Sequence, residues 1–400
     1  MSEQTPDPTA AQTDGAPTTD AAAEGRRSPL HDEHVALGAT LTNFGGWQMP
    51  LRYESDLAEH RAVRAAAGLF DLSHMGEIEV SGPQAAAALD YALVGNLSAV
   101  GVGRARYTMI CADDGSVLDD LVVYRPAPES FSVVANAGNA ERVLAELRDR
   151  VEGFDATVVD HSASTALIAV QGPRAAEIVV GLTAPEAADV VRDMKYYSGT
   201  FVEVAGVGTF VARTGYTGED GFELFVPAEV APEVWRTVLE AGRPLGLVPA
   251  GLSARDSLRL EAGMPLYGNE LDETVTPYAA GLGRVVKLDK VADDGSPLDF
   301  VGRAALEARR HSAPARVLVG LKGLGRRPAR SGHDVVLPGK DAPIGHVTSG
   351  APSPTLGCPI AMAYVTPELS AEGTELAVDV RGRQEPFVVV PLRFYTRPQD

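Results

Sequence analysis

The strongest constraint on this 400-residue chain is a segment that occurs twice, EIEVSGPQAAAAL at 77–89 and LIAVQGPRAAEIV at 167–179. Each copy reads as a short strand, a Gly-Pro step and an Ala-rich helix, because proline is tolerated in a first helical turn where its missing N–H has no partner anyway. Each continues into a further strand, LDDLVVY at 118–124 or GFELFVP at 221–227, and then a helix, 139–151 or about 231–241. The pattern predicts two similar α+β units, repeating over about 77–151 and 167–241. Aligning the later strands sets Asp120 opposite Glu223, and a pseudo-twofold between the units would turn both carboxylates into one cleft. A chance likeness of strand-turn-helix text is the rival account.

Other elements frame this repeat. A helix is predicted from about Glu54 to Ala67, stopped by Gly68. After Gly302 the chain turns to short β-rich runs at 317–321, 334–337, 360–365, 375–380 and 387–392, separated by turn residues, which predicts a small β-barrel or sandwich. The expected division is a disordered tail over 1–27, a two-unit region over 28–300 and a β domain over 301–400. The tail is rich in Ala, Thr, Pro, Asp and Gln, a composition that cannot bury enough apolar area to offset its ordering entropy.

The bulk numbers exclude partners rather than name them. Lys plus Arg total 35 against 54 acidic residues, a net charge of −19, which opposes contact with a phosphate backbone and makes nucleic acid an unexpected partner. No run of about 18 apolar residues exists to span a bilayer, and no secretory pattern opens the chain, so a cytoplasmic protein is expected. Cys111 and Cys358 lie far apart, without the spacing of a zinc ribbon or a disulfide framework. His31 and His34 share a helix face but lack further ligands nearby, and a surface or capping role is expected of them.

Several enzyme classes drop out, since there is no phosphate-binding Gly-rich loop ending in Lys-Ser/Thr, no Gly-x-Ser-x-Gly elbow and no dinucleotide fingerprint. In Leu118-Asp119-Asp120-Leu121, strand alternation lets only Asp120 share a face with Leu118. An acid on an apolar strand face must be hydrogen-bonded, paired or functional. RTGYTGEDGFEL at 213–224 fits either a long turn or a backbone held close to a flat ligand, with Tyr216 stacking and Glu223 accepting two parallel N–H donors. In SARDSLRLEAGMPLYGNEL at 253–271, Arg255 and Arg259 stand four apart on a helix near Glu261, compatible with intrahelical pairing or with ligand contact. The basic run Arg309, Arg310, Arg316, Lys322, Arg326, Arg327 and Arg330 reads as a solvated loop or as a docking patch for an acidic partner.

Taken together, NFGGWQMPLRY, GLFDLSHMGEI, SVLDDLVVY, VVANAGN, RTGYTGEDGFEL, ARDSLRLEAGMPLYGNEL and SGAPSPTLG resemble, in order and spacing, the aminomethyltransferase family of the glycine cleavage system. The resemblance runs from residue 28 to the end. It implies an α+β fold of two intertwined ferredoxin-like units and a C-terminal β-barrel in a cloverleaf, with tetrahydrofolate in the central cleft as co-substrate. It also implies the reaction: an aminomethyl group on the lipoyl arm of H protein is taken by tetrahydrofolate, giving 5,10-methylenetetrahydrofolate, ammonia and the dihydrolipoyl arm. The family's catalytic aspartate falls on Asp120, and its folate contacts on Glu223 and Arg255. Met75, Tyr107, Val122, Tyr124, Asn136 and Tyr216 fall where the family lines the cleft, with Ser73 and His74 nearby; no metal is implied.

The sequence departs from the family pattern at Arg284, where Trp is frequent, and at Cys358, where Lys is frequent. Two alternatives of the same fold are a demethylase of a small methylated compound and a non-catalytic folate-binding module, which would have no use for Asp120. Proteins of iron–sulfur cluster upkeep carry a cysteine in the stretch matching TGYTGEDGFE, which has none here.

Overall fold

The structure, a computed structural model, describes residues 25–292 and 295–398; most of the predicted tail lies outside the described residues. Order begins earlier than residue 28, because strand β1 (Arg26–Arg27) pairs in parallel with Trp47 and Gln48. Helix α1 (His31–Ala36) follows, then the hairpin β2 (Thr40–Phe44) and β3 (Trp47–Arg52), which completes a three-stranded sheet. The surface or capping role expected of the α1 histidines is corrected: both are buried. His34 Nε2 lies 2.8 Å from Asp71 Oδ2 and its Nδ1 2.9 Å from Tyr53 Oη, while Ser28 Oγ donates to the same Asp71 oxygen at 2.6 Å. These partners lie tens of residues away, beyond any local pattern.

Helix α2 (Asp56–Ala65) starts at Ser55, whose side chain accepts the Ala58 N–H, as an N-cap serine does. It ends before Gly68, and the chain passes directly into strand β4 (Ala67–Asp71). Gly68 is thus no helix stop. A Cβ there would stand 2.5 Å from Val63 Cγ2, so the glycine lets strand and helix approach closely.

The first unit comprises β5 (Gly76–Ser81), α3 (Ala85–Ala92), β6 (Arg104–Cys111), β7 (Val117–Ala127), β8 (Ser130–Ala135), α4 (Ala140–Val151) and β9 (Thr157–Asp160), with sheet order β6-β7-β8-β5-β9. The second comprises β10 (Thr165–Gln171), α5 (Ala175–Leu182), α6 (Ala188–Arg192), β11 (Gly199–Val204), β12 (Val207–Ala212), β13 (Gly221–Pro227), α7 (Ala231–Gly242) and β14 (Leu247–Pro249), in the order β11-β12-β13-β10-β4-β14. The shared order matches β5 with β10 and β6, β7, β8 with β11, β12, β13. This corrects the alignment of LDDLVVY with GFELFVP: β7 corresponds to β12, and β13 to β8. Asp120 and Glu223 therefore occupy non-equivalent strands; the likeness of the two stretches reflects amphipathic strand text, not position in the sheet. The units are intertwined through β4, which precedes the first unit in the chain but sits inside the second sheet.

One face of each sheet packs on its helices. Ile78, Val80, Leu121, Val123, Phe131 and Val133 meet α3 and α4, and Leu69, Ile168, Val211, Phe222 and Leu224 meet α5 and α7. The opposite faces meet each other, with Tyr124, Val122, Val134 and Met75 from the first unit against Phe70, Leu167, Ala169, Phe210 and Phe225 from the second. Any polar group on this inner layer must find a partner or pay in stability.

Helices α8 (Leu252–Ala262) and α9 (Arg303–Arg309) lead to a closed six-stranded barrel of β15 (Val317–Gly323), β16 (Asp334–Val336), β17 (Pro343–Ser353), β18 (Cys358–Val365), β19 (Glu375–Asp379) and β20 (Gln384–Val390), in the order β15-β18-β17-β16-β19-β20. The predicted runs match five of these strands. Missing from them is β17, whose text PIGHVTSGAPS reads as turn. Its glycines serve contact: a Cβ would stand 2.0 Å from Tyr364 O at Gly345 and 2.5 Å from Ala329 O at Gly350. Within the basic run 309–330, Arg309 donates to Asp114 O, Arg316 to Thr274 Oγ1 and Arg330 to Gly350 O, and Arg327 lies 3.7 Å from Glu385, while Arg310, Lys322 and Arg326 are exposed. No helix among the described residues is long and apolar enough to cross a membrane.

Candidate active site

The inner layer between the sheets carries its polar residues in two clusters joined by β7. Asp120, Val122 and Tyr124 alternate onto the face that meets the second sheet. Asp120 receives a hydrogen bond from Tyr107 Oη at 3.0 Å and another from Asn136 Nδ2 at 2.9 Å. Burial pushes its carboxyl up to about 6, although both donors pull the other way.

The reason given in the sequence for preferring Asp120 over Asp119 needs correction. A register shift between Ile110 and Cys111 opposes Asp119 and Val117 to successive residues of β6. Leu118 is the extra residue, and it packs with Leu121 and Val123 in the helical core. Such a bulge breaks simple alternation. Nor does Asp119 point away from the site: fully buried, it accepts Asn136 N–H at 3.0 Å, Asn136 Nδ2 at 2.9 Å and Asn139 Nδ2 at 2.8 Å. The single amide of Asn136 therefore bridges both aspartates. Burial and the charge of Asp120 raise Asp119 as well, to about 7.

The second cluster centres on Glu223 of β13. Tyr124 Oη donates to its Oε2 at 3.0 Å, and Thr214 Oγ1 donates to the same oxygen. The Tyr124 ring is wedged edge-on against Phe210 and Phe225. Although the two carboxylates come from non-equivalent strands, both reach the same inter-sheet face. Thr214 went unnoticed in the sequence, and its position at the head of RTGYTGEDGFEL was the available signal.

Arg255 of α8 lies over the Tyr216 ring at 4.6 Å, and Tyr216 Oη donates to Pro265 O. Both line a cavity of about 340 Å³ with Asn43, Phe44, Leu252, Leu266 and Asn269. Tyr216 is thus stacked on one side by a guanidinium, and burial lowers the basicity of Arg255. Met75 and Val122 pack at the edge of the inner layer. All the candidate side chains except Tyr124 keep some accessible surface, as groups lining an opening do.

Other residues resolve into structural roles. Ser73 Oγ accepts the Leu167 N–H at 3.1 Å, and His74 is buried against Phe44, its ring pushed down to about 4 by burial. Arg259 donates to Asp256 within its helix, but also to Glu270 at 2.8 Å and to Ser349 Oγ at 2.7 Å, which fastens α8 to the barrel. Arg284 is exposed, and Cys358 opens β18 half-buried against the core that the barrel shares with the first unit. A larger concavity of about 610 Å³ contains no predicted site residue; Arg64 is paired there with Glu219, and Arg397 with Asp220.

Comparison with known proteins bears on the fold and the family. The family model "GCVT N-terminal domain" matches residues 30–290, and "Glycine cleavage T-protein C-terminal barrel domain" matches 316–396. The chain is 59% identical to the aminomethyltransferase of Saccharopolyspora erythraea over 93% of its own length and 98% of that protein's. It is 58% identical to that of Streptomyces coelicolor, with the same coverage. The crystal structure of glycine cleavage system aminomethyltransferase T from Bartonella henselae superposes with a TM-score of 0.83 at 36% identity, covering 93% of this chain and 98% of that one. Family models across both regions, relatives at this identity and a matching solved fold together show that the chain belongs to the glycine cleavage T-protein family, the tetrahydrofolate-dependent aminomethyltransferases.

Proposed function

We propose that this chain moves the methylene carbon of an aminomethyl group from the lipoyl arm of an H protein to tetrahydrofolate in the cytoplasm, releasing ammonia, and that Asp120 is its catalytic carboxylate. The observation that carries this reading is the pair of acids on one inner face, Asp120 held by Tyr107 and Asn136, and Glu223 held by Tyr124 and Thr214. Asp120 and Tyr124, the residue that donates to Glu223, stand four residues apart on one strand face, roughly 13 Å along an extended strand.

The residues present fit a reduced pterin. Its N–H donors call for acceptor-only carboxylates, and its flat faces for Val122 and Met75. Glu223 reads the amino edge of the ring, and Asp120 holds the reacting amine and relays its proton as the new C–N bonds form and the methylene carbon parts from the lipoyl sulfur and from its amino group, the two protons leaving the folate amines ending on the dihydrolipoyl thiol and on ammonia. A carboxyl poised near 6 is close to working pH, where proton transfer in either direction is most effective. Tyr107 and Asn136 fix its orientation, while Arg255 supplies positive charge beside Tyr216.

Purified protein supplied with tetrahydrofolate and aminomethylated H protein is expected to form 5,10-methylenetetrahydrofolate. Asp120→Asn is expected to slow that turnover by about 10²- to 10⁴-fold, the range for a lost acid/base group. An unchanged rate in this variant would remove Asp120 from the chemistry.

A further inference from the structure

Few buried side-chain nitrogens and oxygens among the described residues lack a hydrogen-bond partner, yet three of them lie on one four-residue stretch: His74 Nδ1 and both carboxyl oxygens of Glu77. Natural proteins seldom leave such groups open without a use, because each open group destabilises the fold. The family resemblance assigns nothing to Glu77.

Strand register places this carboxyl. β5 pairs with β8 and β8 with β7 so that Glu77, Val134 and Val122 form one row across the first sheet, two residues along β7 from Asp120, to which Asn136 donates. Val134 and Val122 pack in the inner layer against Phe70, Leu167 and Phe225 of the second sheet. Glu223 is two residues from Phe225 on the same face. Glu77 is 4% exposed, and burial together with the charge of Glu223 pushes its carboxyl well above the usual range. A buried carboxyl with no donor to either oxygen favours its neutral form, because an unpaired buried carboxylate costs far more than the acid. His74, also left neutral by burial, lies near the charge of Arg255 and against the cavity-lining Phe44, as Glu77 lies near the charge of Glu223.

Asp120 and Glu223 as carboxylates only accept. A reduced pterin also carries acceptors, its 4-oxo group and ring N1, which carboxylates cannot serve, whereas a protonated carboxyl has an O–H to give. We propose that Glu77 is a further binding residue, its carboxylic acid donating a hydrogen bond to an acceptor atom of the pterin ring. The assignment rests on reading the site as a tetrahydrofolate site.

The test measures tetrahydrofolate affinity by titration calorimetry, and melting temperature with and without tetrahydrofolate, for the wild type, Glu77→Gln and Glu77→Leu. Glutamine keeps an N–H donor and is expected to bind within about threefold of wild type; leucine is expected to bind about 10- to 100-fold more weakly. The leucine variant should nevertheless melt higher than wild type when free, since it removes an unpartnered buried acid. A leucine variant that melts higher but binds as tightly as wild type makes Glu77 purely structural and overturns the proposal. So does a glutamine variant as weak as the leucine one. Wild type that fails to bind tetrahydrofolate overturns the reading of the site itself, and the assignment of Glu77 with it.

Discussion

Two buried polar clusters in this protein are built on opposite terms. Where α2 and α8 meet the barrel, Glu261 accepts from Arg64 Nη2 at 2.8 Å, Thr355 Oγ1 at 2.8 Å, Thr355 N–H at 3.1 Å and Ser353 Oγ at 2.5 Å, with His60 Nε2 at 3.2 Å. His60 turns its other ring nitrogen to Ser257 Oγ at 2.7 Å. This network is saturated. Between the two sheets, by contrast, His74 and Glu77 are buried with polar atoms unserved, close to Glu223 and Arg255. A saturated network fastens domains and has nothing left to offer a ligand. An open one sacrifices stability for binding capacity.

This contrast breaks if the two clusters respond alike to mutation. The largest expected effect is at Glu261: conversion to Gln should lower unfolding free energy by about 3–5 kcal/mol, the usual cost of breaking a buried ion pair from one side, without moving the affinity for tetrahydrofolate. Denaturant melts and titration read the two quantities separately. Its pH signature is specific, because the partners hold Glu261 down to about 2 against an ordinary 4.5 in spite of burial. The folded carboxyl loses protons more readily than the unfolded one, so its contribution is complete above about pH 4.5 and fades as pH falls towards 2. The Gln variant should lack that portion of acid sensitivity.

At the open cluster the ranking should reverse. Glu223→Gln is expected to weaken tetrahydrofolate binding by about 10- to 100-fold while leaving the melting temperature of the free protein nearly unchanged. A variant that melts far lower but binds normally would place Glu223 with the structural acids. The smallest effect is expected at Tyr124→Phe, which removes one of two hydroxyl donors to Glu223 and keeps the ring packing on Phe210 and Phe225. Affinity should fall by about 3- to 10-fold, the worth of one hydrogen bond.

Much of this was legible in the text of the chain, though sometimes for incomplete reasons. The Gly-Pro steps marked the repeat because a strand entering a helix leaves a local signature. Sheet order has none, and so LDDLVVY was matched with GFELFVP although they occupy different places in their sheets. Asp120 was singled out by alternation with Leu118, yet the bulge at Leu118 breaks that alternation, and the residues that hold Asp120 lie elsewhere in the chain, Tyr107 on β6 and Asn136 just past the end of β8. The resemblance had placed both at the cleft without assigning them to that task. Glu77 stood inside the quoted GLFDLSHMGEI and passed as an ordinary strand glutamate. Nothing in a sequence tells which polar groups remain unserved until all the neighbours are in place.

The position of β4 bears on how this molecule can be made at all. Its five residues, all buried, pair with β10 roughly 100 positions later and with β14 roughly 180 later. At synthesis rates of about 5–20 residues per second, Leu69 and Phe70 emerge about 5 to 20 s before β10 exists to receive them. The nascent chain must therefore carry an unpaired apolar strand through the whole assembly of the first unit. The second unit, expressed without residues 67–71, would lack a central strand, so the two halves share one folding event rather than two.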